Sequence, residues 1–190
     1  MYLIFDVETT GLPRVYTAPH TDTSNWPRIV QLAYALYDEN EELLSETNRI
    51  IRPEGFEIPQ ESANIHGITT QRAQSEGTPL QEALEELEQL FAVVRVFVAH
   101  NAQFDATVLD AERHRTGKQA FFTTQNCVCT MKQSIQVCKL PGMYGYKYPR
   151  LEELYAYLFN ESVQGAHNAL IDVRATAKCY FMLRKKGFIE

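Results

Sequence analysis

The sequence predicts a mixed α/β fold, one sheet flanked by helices. Three observations carry this. Strand-like runs come first, at 1–7, 29–37 and 42–51. A clear helical period follows at 79–92. Short apolar runs then mix with helical segments through the rest of the chain.

Each element has its own reason. Residues 1–7 are an apolar run and read as a strand. Pro13 to Pro27 is polar, holds three prolines and Trp26, and reads as a loop. It follows the first strand directly, so it can be a lid, a strand guide or packed decoration fixed by Trp26. Residues 29–37, IVQLAYALY, and 42–51 read as strands two and three, joined by the turn Asp38-Glu39-Asn40-Glu41. In 79–92, Leu80, Ala83, Leu84, Leu87, Leu90 and Phe91 recur at helical spacing, with four glutamates opposite as a solvated face. The Val-rich run 93–99 is a buried strand by length and type. A helix is expected over 103–115, stopped by Gly117, then a short strand at 126–130 and a helix at 130–138. Pro149 precedes a helix at 151–159. The last helix, 168–186, ends in Arg184, Lys185 and Lys186, which suit the negative end of its dipole, with Gly187 as the stop. No repeat, linker or low-complexity stretch divides the 190 residues, so one domain spanning 1–190 is expected.

Composition narrows the classes. No run of 18 apolar residues exists, so a membrane-spanning role is not expected. The start MYLIFDVETT has no basic region or small-residue cleavage site, so a secretory signal is not expected. Cys127, Cys129, Cys138 and Cys179 lack zinc-like spacing and read as free thiols of a reducing cytoplasm. Net charge is −6, unlike a protein that grips duplex nucleic acid through many phosphates. An enzyme that acts on nucleic acid and lets go remains open, because bound cations invert the sign of an acidic site.

Three stretches carry candidate chemistry. In IFDVETTGLP, Asp6 and Glu8 are two apart on a strand, so they share a face. Like charges repel, and burying either without a partner is costly. Arg14 is the nearest basic residue in sequence. Solvated strand-end acids and a divalent-cation site explain the pair equally well; hard oxygen ligands would select magnesium or manganese. Thr9-Thr10-Gly11 follows as a turn where glycine lets the backbone approach a ligand. In HNAQFD, Asp105 taken singly reads as a helix-start acid favoured by the dipole. In AHNALID, His167 precedes Asp172 by five residues, and Asp172 is flanked by Ile171 and Val173 on a helix that must bury surface.

Together, in this order, FDVETTGL, HNAQFDATVL and AHNALIDVRAT resemble the DEDD exonuclease superfamily, within it the DnaQ-like branch with a histidine (DEDDh). Ile65-His66-Gly67-Ile68-Thr69 matches a further element of that family. The resemblance spans almost the whole chain. It implies a ribonuclease-H-like fold, a five-stranded mixed sheet with helices on both faces. It implies two Mg2+ or Mn2+ ions: Asp6 shared by both, Glu8 and Asp172 completing the first site, Asp105 holding the second. His167 would be the general base, and the product a nucleoside 5′-monophosphate released from a 3′ end. Thr9, Thr10 and Leu12 would meet the terminal nucleotide, and Ile65, His66 and Phe104 its base. Core packing for Ile65 and Phe104, and a helix- or turn-stabilising role for His66, are the plainer readings.

MYGYKYPR, 143–150, interleaves three tyrosines with Lys147 and Arg150. It reads either as half-buried loop anchors or as a loop that holds a single strand. The leading expectation is a 3′–5′ exonuclease on single-stranded ends, DNA before RNA. Alternatives are an RNA-trimming, oligoribonuclease-type enzyme, a proofreading DNA polymerase subunit (for which few residues follow the last helix to dock a partner), and a non-catalytic nucleic-acid-binding module. The presence of all four acids and His167 weighs against the last.

Overall fold

The computed structural model describes residues 1–125, 127–165 and 167–189. Asn126, where the fifth strand was expected to begin, and Ala166 of the third motif lie outside them. The sheet has strands β1 (Tyr2–Thr9), β2 (Ile29–Tyr37), β3 (Leu43–Ile50), β4 (Val96–Ala99) and β5 (Val128–Cys129). Their order is β3-β2-β1-β4-β5, antiparallel across β1–β2–β3 and parallel across β1–β4–β5. β1 is central because LIF is buried on both sides, whereas β3 is a largely exposed edge.

Alternation along β1 divides the core. Leu3, Phe5 and Val7 face one layer, built with α3 (Leu80–Glu88) and α4 (Ala102–Arg115). Ile4 faces the other, packing with Ala169, Val173, Ala177 and Tyr180 of α8 (Ala169–Lys185). Asp6 and Glu8 continue the Ile4 face, so they emerge beneath the start of α8. Two short helices, α1 (Gln60–His66) and α2 (Thr70–Glu76), join a small cluster with Val30, Ile58 and Ile68.

The structure differs from the expectations in places with local causes. α1 and α2 occupy a stretch to which the sequence assigns no element. The helix expected over 79–92 ends at Glu88, and the strand expected from 93 begins at Val96. The helix expected over 130–138 is two turns, α5 (Thr130–Gln133) and α6 (Ile135–Cys138), parted at Ser134, whose hydroxyl bonds back to the Thr130 carbonyl at 2.7 Å. Between α6 and α7 (Leu151–Phe159) lies a hairpin, β6 (Pro141–Gly142) and β7 (Gly145–Tyr146), and the 143–150 stretch supplies its turn, second strand and the arm that follows. The 13–27 loop is packed rather than loose. Trp26 is buried and donates to the Ala18 and Pro19 carbonyls at 3.3 and 3.1 Å, and Arg115 donates to the Thr23 and Trp26 carbonyls at 2.6 and 2.7 Å. Among the described residues no helix is long and apolar enough to cross a membrane. All four cysteines are free thiols.

Candidate active site

Beyond Ile4 and Val98, β1 and β4 part, because their parallel pairing stops there. A chain that separates from its neighbour leaves backbone donors to satisfy. Asp105, in the first turn of α4, fills that need: its Oδ1 accepts from the Val7 N–H at 3.2 Å. Asn101 adopts the left-handed conformation just before α4, which aims the helix start into the split.

A second device brings in Asp172. The Asn168 side chain caps α8 by accepting from the Leu170 and Ile171 N–H groups, and Gln31 on β2 accepts from Ala169 N–H at 3.1 Å. The start of α8 is thereby tied to the sheet with Asp172 facing β1. On β1 a bulge between Glu8 and Thr9 bends the strand end. The result is a group of three acids: donor oxygens of Asp6, Glu8 and Asp172 all lie within 4.8 Å of one another. Asp105 stands outside that group, its carboxylate turned to Val7.

The four acids line one cavity of about 450 Å³, together with His100, Phe104 and His167. Among the described residues no lysine or arginine forms an ion pair with any of the four. Their protonation reflects this. Burial, then repulsion from Asp105, Asp172 and Glu8, holds Asp6 well above the usual carboxylate range. Burial and Asp172 push Glu8 up to about 7. Burial raises Asp105, with the Val7 hydrogen bond opposing. Burial raises Asp172 to about 6, offset by its contacts with His167. An all-oxygen donor set, crowded and short of positive charge, fits a hard divalent cation.

His167 is exposed at the cavity rim, in a positive-φ conformation, and its backbone N–H donates to Asp172 Oδ2 at 3.1 Å. The other candidates gather in an adjoining cavity of about 230 Å³ that shares Glu8 and Phe104 with the first; Thr9, Leu12, Ile65 and His66 line it. Leu12 and Ile65 are 72% and 60% exposed, so neither is a core residue. Thr9 Oγ1 donates to the Gly11 carbonyl at 2.6 Å, and Gly11 at φ +144° makes the turn. His66 is buried; its Nδ1 accepts from Ile68 N–H at 3.1 Å, a turn-stabilising contact. Among the described residues its buried Nε2 makes no well-formed hydrogen bond, and burial lowers its pKa while the Thr9 carbonyl opposes that shift. Thr10 is not in this lining: its Oγ1 accepts from Arg28 N–H at 3.0 Å and braces the loop.

His100 lines the cavity and was not among the expected site residues. His100 sits between β4 and α4, its Nε2 3.1 Å from the Pro149 carbonyl and its Nδ1 2.9 Å from Thr130 Oγ1. A carbonyl only accepts, so Nε2 carries the proton. Burial pushes His100 down to about 4. Its position in HNAQFD, at the end of an apolar strand, was the available signal.

A five-stranded mixed sheet in this order, with helices on both faces, is the ribonuclease-H-like fold. The chain belongs to the RNase_T family of exonucleases, the DnaQ-like 3′–5′ group, whose model (RNase_T: Exonuclease) matches residues 3–180. It is 29% identical over 152 residues to the 3′–5′ exonuclease DinG of Bacillus subtilis, covering 80% of this chain and 14% of DinG. It is 30% identical over 189 residues to the PolC-type DNA polymerase III of Streptococcus mutans, covering 98% of this chain and 11% of that protein. E. coli Exonuclease I, solved with a dT13 oligonucleotide, shares the fold at a TM-score of 0.74 and 20% identity, over 96% of this chain and 40% of that one. The chain thus spans less than half the length of these proteins.

Proposed function

We propose that residues 1–190 form one catalytic domain that removes nucleotides from single-stranded 3′ ends, DNA in preference to RNA, and releases nucleoside 5′-monophosphates. The observation that carries this is the uncompensated carboxylate group: three acids within 4.8 Å, with Asp105 in the same cavity. Asp6 would be shared by two Mg2+ or Mn2+ ions, Glu8 and Asp172 would complete one site, and Asp105 the other. When bound, such ions stabilise the attacking and leaving oxygens of an in-line phosphodiester displacement.

The chain's own residues supply the rest. His167, at the rim and tethered to Asp172 through its backbone, takes the proton from the attacking water. Thr9, Leu12, Ile65, His66 and Phe104 hold the terminal nucleotide, with Phe104 offering a ring face that accepts any base. The preference for DNA is supported by relatives named for DNA polymerase and by a fold neighbour solved with dT13. The match to PolC over 98% of this chain also favours a second setting for the same activity, proofreading beside a DNA polymerase.

The test is release of mononucleotides from matched, 5′-labelled single strands of DNA and RNA. Magnesium or manganese should support stepwise shortening from the 3′ end, chelator should stop it, and DNA should turn over faster. Activity that survives chelator, or none with either metal, overturns the reading.

A further inference from the structure

The hairpin β6–β7 plays no part in the chemistry above, yet it is built onto the same cavity. Tyr148, Pro149 and Arg150 form part of the wall around Asp6 and Glu8. The arm leading back to the hairpin is held in several places. Lys147 N–H donates to the Leu140 carbonyl at 3.0 Å, Lys147 Nζ pairs with Glu153 at 2.6 Å, and His100 donates to the Pro149 carbonyl. Gly142 allows the two arms to close, since a Cβ there would lie 3.1 Å from Lys147 N and from the Gly145 carbonyl oxygen.

What this anchored arm presents is aromatic and bare. Tyr144 is 96% exposed at the tip, Tyr146 and Tyr148 are half exposed, and Met143 beside them is exposed. Arg150, at the cavity wall, keeps 73% of its side chain in solvent. Several exposed large side chains on one short hairpin are a feature that needs a partner. Flat rings joined to a guanidinium match a single-stranded nucleic acid: ring faces for bases, positive charge for phosphate. In a chain of net charge −6 with acids in the cavity, a cation at the wall is where a phosphate would be drawn.

We propose that the β6–β7 hairpin is a strand guide, on which Tyr144 and Tyr146 stack against bases of the single strand beyond the terminal nucleotide. This rests on the exonuclease reading but adds a separate site, so the two can fail separately. The test uses the full chain and two probes. One is a 5′-fluorescein (dT)12 single strand; the other is thymidine 5′-monophosphate p-nitrophenyl ester, which presents a single nucleotide. In the Tyr144→Ala/Tyr146→Ala variant, kcat/KM for (dT)12 should fall at least about 30-fold further than for the ester, because two stacked bases are lost and each contributes roughly 1 kcal/mol or more. Anisotropy with calcium replacing magnesium should show a matching rise in Kd for (dT)12. The Tyr144→Phe/Tyr146→Phe variant should restore both. Equal loss on both probes, or wild-type binding of (dT)12 by the alanine variant, overturns the guide. Wild-type protein that cleaves neither probe overturns the exonuclease reading instead, while the anisotropy difference still decides the hairpin.

Discussion

Helix α4 buries acids at both ends, and the two ends treat them differently. Near its C-terminus, Asp110 accepts from the Phe121, Phe122 and Thr123 N–H groups and from the Thr123 hydroxyl, at 2.7–3.0 Å. Glu112 accepts from Arg28 at 2.9 Å and from Ile29 N–H at 3.0 Å, with Arg115 3.3 Å away. Near the N-terminus, Asp105 accepts from the Val7 N–H and faces three more acids. Buried charge is costly unless it is paired. The first region has met that cost from within the chain, with donors and cations. The second has left it unmet, and this separates acids satisfied by the fold from the acids proposed above to take up a cation.

Substitutions can break this contrast from either side. The largest effect should come from Asp6→Asn, which removes the acid shared by both proposed ions. Exonuclease turnover should fall by at least about a thousandfold, the order of several kcal/mol of lost charge stabilisation, while the melting temperature holds or rises because a buried repulsion is gone. Next is His167→Ala, for which loss of a general base predicts a fall of roughly 10²–10⁴-fold. Cation binding measured by calorimetry should persist, and near-wild-type turnover would sink the base role.

Glu112→Gln is the mirror experiment. It should cost about 2–3 kcal/mol of stability in urea melts and leave turnover per folded molecule close to wild type. A pH effect on chelator-treated protein probes the same contrast without a substitution. Glu8 and Asp172 are raised to about 7 and about 6, so the folded state holds protons that the unfolded state releases at lower pH. Stability from these groups is therefore full below their unfolded pKa values and lost as pH rises through 6 and 7, each contributing at most about 3 kcal/mol. Melting temperature should drop between pH 5 and pH 8 with chelator and hold with magnesium; a flat chelated profile would contradict the shifts.

The contrast also explains what could be read from the chain alone. β2 was legible to the residue, because IVQLAYALY is apolar but for Gln31 and lies between Arg28 and the acidic turn at Asp38. The end of α8 was legible from its basic last turn and Gly187. The acids Asp6, Glu8, Asp105 and Asp172 stood out because three motifs came in order, and the structure gathers them in one cavity. What was not legible depends on distant partners. α1 and α2 are seven residues each, too short for a periodic signal, and are held by Val30 from another strand. Asp105 turning to Val7, Thr10 bracing Arg28 and the anchoring of the hairpin by His100 are contacts across many residues, which spacing does not encode.

The acids around Asp6 are proposed to form a divalent-cation site, whereas Asp110 and Glu112 are satisfied by the protein. Calorimetric titration of Mn2+ into chelator-stripped, dialysed protein at pH 8 tests it most directly. Saturable binding of two ions per chain, lost in Asp6→Asn and kept in Glu112→Gln, is the expected result. Absence of binding, or binding that survives Asp6→Asn unchanged, would contradict it.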